Sequence, residues 1–105
     1  MKAFYNTCNL TGEELRQAVA GAKSQEEAIL LIYMNHRKPL TASKITELTE
    51  KAGHKWPIWS NRRAITNLKS SGDLRKCGYT VPGPQGKPEH PYEINSLKYP
   101  VKMTA

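Results

Sequence analysis

Only two cysteines, Cys8 and Cys77, occur in the 105 residues, and they form neither a CxxC pair nor a disulfide framework. A small domain without disulfides rests on its apolar core, and a reducing cytosol is its default setting. Long apolar runs are missing too. The longest, "AILLIYM", has seven residues, against the ~20 of a membrane span. The first residues, "MKAFYNTCNLTGEE", carry no apolar signal-peptide core and soon turn acidic, so a cytoplasmic, unanchored protein is expected. His36, His54 and His90 are scattered and, with the cysteines, show no metal-ligand spacing, so neither metal nor cofactor is expected. No nucleophile is spaced with a base: Ser60, Ser70 and Ser71 stand where capping and helix-end serines stand. "PGPQG" lacks the GK[ST] ending of a phosphate loop and opens no helix. Enzymatic chemistry therefore has no candidate residues.

Acids are scarce in one half only. Residues 1–50 balance six basic residues with six acids, whereas residues 51–105 set ten basic residues against Asp73, Glu89 and Glu93. The whole formal charge of +7 thus lies in the second half. Charge so placed implies one anion-facing side and suits nucleic acid, an anionic surface or an acidic protein.

Four helices are legible. Thr11-Gly12-Glu13-Glu14 has capping-box spacing and opens a helix over 12–22 with Leu15, Ala18, Val19 and Ala22 on one face. Ser24 and Glu27 repeat the signal for a second helix, 25–36, whose wide apolar surface calls for burial. Pro39 breaks the pattern at Lys38. Thr41 caps a third helix, 42–52, which Gly53 stops. A fourth, 58–71, ends at Gly72. A strand is then expected over 74–79 and its return at "YEIN", with the Pro/Gly-rich "VPGPQGKPEHP" as the loop between them. Gly83 and Gly86 suit tight turns at that tip. The domain division expected is an arm and helix at 1–23, a core at 24–95 and a tail at 96–105.

Helices 42–52 and 58–71, joined by a short turn, have the dimensions of a helix-turn-helix, and the hairpin adds a wing. The fold class expected is mainly α with a small β-hairpin (α+β): a winged helix-turn-helix with an extra N-terminal helix. "PIWSNRRAITNLKSSGDLRK", followed by "GPQGKPEHPYEI", resembles small phage and bacterial winged-helix proteins, in which a similar run forms the recognition helix and a Gly/Pro/Lys-rich segment the wing. Asn61 departs from that likeness. It stands where such proteins usually carry an apolar residue, which implies a wetter helix edge or a polar contact.

The fourth helix supports the same expectation without the resemblance. Ile58, Ala64, Ile65 and Leu68 share one arc with Asn61, while Trp59, Arg63, Thr66, Asn67 and Ser70 share the opposite one. No acid lies between Gly53 and Gly72, whereas an ordinary solvated face mixes signs. Arg, Asn and Thr are side chains that read base edges in the major groove. The candidates for base contact are Trp59, Arg63, Thr66 and Asn67. Those for backbone contact are Lys55, Ser60, Arg62, Lys69 and Ser70, and the wing would add Arg75, Lys76, Lys87 and His90. Trp59 has a rival reading, in which it packs under the wing; Trp56 reads as core or as a staple.

The partner expected is double-stranded DNA, for a small transcriptional regulator or phage accessory protein. The alternatives are a winged-helix module docking an acidic protein, an RNA binder, and a replication or packaging adaptor. A homodimer through Ala18, Val19 and Ala22 of the first helix is a further expectation.

Overall fold

The computed structural model describes residues 12–84 and 86–99. The capping residue expected at Thr11 lies outside them. Helix α1 (Gly12–Ala20) ends two residues before the expected 22. Helix α2 (Gln25–His36) begins where Ser24 Oγ accepts the Glu27 N–H at 3.1 Å, and Glu27 reaches back to the Lys23 N–H. Its residues Ala28 to Met34 are all buried, so α2 is the central rod on which the other elements pack. Arg37 ends it in the left-handed region, φ 55°.

Helix α3 (Ala42–Lys51) is capped by Thr41, whose hydroxyl accepts the Lys44 N–H at 3.2 Å. Gly53, at φ 98°, turns the chain out of it. Helix α4 (Ile58–Ser70) follows, with Pro57 as an N-cap that offers no side-chain bond. Gly72, φ 88°, stops it, and the Asp73 N–H returns to Leu68 O at 2.9 Å.

Strand β1 (Leu74–Lys76) pairs antiparallel with β4 (Tyr92–Ile94), Leu74 opposite Ile94 and Lys76 opposite Tyr92. The regular ladder therefore stops at Lys76, not Tyr79, although the Cys77 N–H still bonds Pro91 O at 2.9 Å. The segment expected as plain loop holds a ladder of its own, β2 (Val81–Pro82) against β3 (Pro88–Glu89). Leu40, just after the α2 turn, adds a bridge on the far side of β4, exchanging both backbone bonds with Tyr92 at 2.8 and 2.9 Å. Tyr33, fully buried in α2, donates its hydroxyl to Leu40 O and so ties this bridge to the core.

The core gathers Ile29, Ile32 and Met34 of α2, Ile45 of α3, Ile65 and Leu68 of α4, and Leu74 and Ile94 of the sheet. Each such side chain contributes about 1.5–3 kcal/mol through removal from water. Val19 of α1 is 2% exposed and belongs to the same core, with Leu15, Ala18 and Ala22 packed against it. The stripe read as a dimer face is thus occupied within the chain, and the expected dimer through α1 loses its surface. His54 reinforces this: its Nε2–H donates to Val19 O at 2.8 Å, and its ring stacks on Trp56 with centroids 3.9 Å apart. α1 therefore braces the turn between α3 and α4.

Residues 96–99, expected to belong to a tail, fold back onto the domain. Tyr99 donates to Asp73 Oδ1 at 2.6 Å, Lys98 pairs with the same oxygen at 2.7 Å, and Ser71 Oγ donates to Oδ2 at 2.7 Å. Asn95 Nδ2 donates to Gly72 O, and the Arg37 guanidinium to Tyr99 O. Burial alone would raise the Asp73 pKa, but the bonds from Lys98, Tyr99 and Ser71 hold it below the ordinary carboxyl value. Burial and the bond to Asp73 push Tyr99 up to about 12.

Candidate functional site

α4 has two faces because its apolar residues recur every three or four positions. Ala64, Ile65 and Leu68 are buried against α2, α3 and β1. Arg62, Arg63, Thr66, Asn67, Lys69 and Ser70 are exposed on the other side. Trp59 is 66% exposed, so it does not pack under the hairpin. Trp56 is half-buried against the core.

The hairpin extends this basic face. A groove of about 330 Å³ runs between α4 and the strands, lined by Arg62, Thr66, Lys76, Glu89, His90 and Tyr92 among others. A second, of about 480 Å³, lies against the hairpin tip and is lined by Ser43, Arg62, Gly83, Lys87 and Glu89 among others. Arg62 borders both. The fold thus brings Arg62, Thr66, Lys76, Lys87 and His90 together from three separate stretches of sequence. Lys55 lies elsewhere, in a groove of about 540 Å³ with Glu50, His54 and Trp56 at the α3–α4 turn.

Several candidates already hold partners within the domain. Ser60 Oγ donates to Gln25 Oε1 at 3.1 Å and is turned towards α2. Asn67 Nδ2 donates to Glu26 Oε2 at 3.1 Å, and Thr66 Oγ1 to Arg62 O at 3.0 Å. Arg75 pairs with Glu93 at 3.3 Å across the ladder. His90 donates through Nδ1 to Cys77 O at 3.1 Å. Of these, the contacts of Asn67 and Arg75 join exposed groups, so they exchange readily with water or an outside acceptor.

Two further residues matter for this surface. Glu89 lines both grooves, and its carboxylate accepts from Ser43 Oγ at 2.5 Å and from the Ser43 N–H at 3.4 Å. It fastens the hairpin tip to the first turn of α3, where negative charge is favoured by the helix dipole. Asn61 is fully buried, and its amide is bonded at both ends. No local pattern announces Glu89, while Asn61 had shown itself only as a polar residue on an apolar arc.

Burial pushes the Cys77 thiol above its ordinary value, which disfavours the reactive thiolate. Among the described residues, no three His, Cys, Asp or Glu side chains converge as a metal site, and no helix is long and apolar enough to cross a membrane. Comparison of the chain with protein-family models, curated proteins and solved structures finds no match. What stands is a mainly helical α+β domain, with four helices and small antiparallel ladders among the described residues, presenting one basic, acid-poor helix face beside a hairpin.

Proposed function

We propose that this domain is a winged helix-turn-helix that binds double-stranded DNA, with α3 and α4 as the helix pair, α4 in the major groove and the β1–β4 hairpin as the wing. The observation that carries the reading is the continuous surface formed by the exposed side of α4 and the hairpin groove, in which Arg62 is shared. Arg63, Thr66 and Asn67, with Trp59, are the groups for base edges. Arg62, Lys69, Ser70, Lys76 and Lys87 suit phosphates, which set register without reading sequence. Such a protein acts by occupying a site, as a small regulator or an accessory protein.

Selection from a randomised duplex library, followed by titration of the selected site, tests this. About five phosphate contacts predict a log–log salt slope near −4.5, or a loss of roughly 500-fold in affinity between 50 and 200 mM salt. Arg63→Ala should flatten sequence preference, whereas Lys87→Ala should weaken all duplexes alike. Absence of any salt-dependent binding to a random duplex pool at low ionic strength refutes the reading. Docking to an acidic protein is the second reading. The exposure of Trp59 favours it, since tryptophan and arginine together make interface anchors.

A further inference from the structure

Asn61 begins as an anomaly, a polar residue on the buried side of α4. Its surroundings form an ordered chain of donors. Ser60 Oγ donates to Gln25 Oε1 at 3.1 Å. Gln25 Nε2 donates to Asn61 Oδ1 at 2.8 Å. Asn61 Nδ2 donates to Thr46 Oγ1 at 2.9 Å, and Thr46 Oγ1 to Ala42 O at 2.9 Å. The chain starts on α4, crosses to the first turn of α2, returns to α4 and ends in the first turn of α3. Every member has its partner, and no described buried side-chain polar atom is left without one.

Apolar contact alone would leave the rotation of α4 about its own axis weakly specified, because apolar side chains repack and a core loses uniqueness before it loses stability. The amide is less tolerant. Side-chain atoms lie about 5 Å from a helix axis, so a rotation of about 20° carries them roughly 1.7 Å. A displacement of that size along the bond stretches 2.8 Å to about 4.5 Å, outside hydrogen-bond range. The same rotation would displace a guanidinium on the far side of α4 by more than about 2 Å, enough to lose a bidentate base contact. Glu26, next to Gln25, also meets the Asn67 amide, but that contact is exposed and adds little to the hold. The first turn of α2 thus touches α4 near both its ends.

We propose that Asn61 is a positioning residue: its buried amide, locked between Gln25 and Thr46, sets the rotation of α4 so that Arg63, Thr66 and Asn67 point outward together. This rests on the DNA reading for its functional consequence, but the positioning itself is measurable without DNA. Asn61→Leu restores the apolar pattern. Thr46 keeps its bond to Ala42 O, and half-buried Gln25 can turn to water, so the variant should fold with a melting temperature close to or above that of the parent. Residual dipolar couplings of α3 and α4 then report rotation of α4, expected at about 10° or more, which moves side-chain atoms by roughly 0.9 Å. The ratio of affinity for the selected site over random duplex should fall roughly tenfold, with random-duplex affinity unchanged.

An unrotated α4 overturns the proposal whatever the binding result, and so does a rotated α4 with an unchanged ratio. If the parent binds no duplex, the DNA reading fails while the couplings still decide the positioning. Should Asn61→Leu not fold, Gln25→Met removes one bond of the amide from the half-buried rim, and the same two measurements apply to it.

Discussion

Replacing Asp73 with alanine would remove the acceptor on which Ser71, Lys98 and Tyr99 converge, at 2.7, 2.7 and 2.6 Å. One of those donors is charged and the acceptor is ionised, so each bond is stronger than a neutral one. The freed donors sit near the surface and rehydrate, and the Lys98 side chain is 47% exposed, which reduces the loss. A net destabilisation of about 2–3 kcal/mol is expected. For a domain of this size that lowers the melting temperature by roughly 8–24 °C, followed by circular dichroism at neutral pH. Tyr99→Phe should remove about 1 kcal/mol alone and much less in the Asp73→Ala background. The pH dependence is a sharper check. Asp73 has a folded pKa below its unfolded value, so its contribution is complete above an unfolded carboxyl value of about 3.9 and is lost as pH falls through the lower folded value. The stability gap between the parent and Asp73→Asn should therefore close in strongly acid solution. A gap that stays constant down to about pH 2, or an alanine variant within about 0.5 kcal/mol of the parent, would refute the claim that this carboxylate closes the domain.

Trp59→Ala should leave stability within about 0.5 kcal/mol, because the ring is mostly in water, while lowering affinity for whichever partner α4 meets; chemical denaturation and titration separate the two. Gly83→Ala places a Cβ against the Glu89 carboxylate and 2.7 Å from Lys87 O, a backbone atom that cannot yield cheaply. The β2–β3 ladder should open, read as faster amide exchange at Gly83 and Glu89 with the melting temperature of the core little changed. Val19→Ala should destabilise the domain by about 2 kcal/mol and leave its sedimentation unaltered; a change in association state without loss of stability would restore α1 as a dimer face.

Local signals were the legible ones. Ser24 and Thr41 each stood one residue before a helix they do cap, and Gly53 and Gly72 stood where the backbone takes positive φ. These are choices made within a turn or two of chain, and the residue type states them. The pairing of Leu40 with Tyr92 was not legible, because a lone apolar residue after a proline has no period, and its partner lies half the chain away. The same holds for Glu89 on Ser43 and for Tyr99 on Asp73: single polar contacts across the fold leave no pattern in either segment. The outward face of α4 was readable from the helical period, but the groove that sets Lys76 and His90 beside Arg62 exists only once the hairpin is folded. Asn61 was visible as an exception, and the exception became intelligible when its two partners did.

The tip ladder sets Pro82 opposite Pro88. Because the Gly83 N–H bonds Lys87 O across it, these two residues form the pair whose nitrogens face away from each other, towards the two open margins of the ladder. Proline has no hydrogen there to give. Each margin of the tip therefore lacks, at that place, the donor through which a stray extended chain would add itself as another strand. A two-stranded ladder with both margins unpaired invites self-recruitment in a crowded solution, and here its own backbone chemistry resists it.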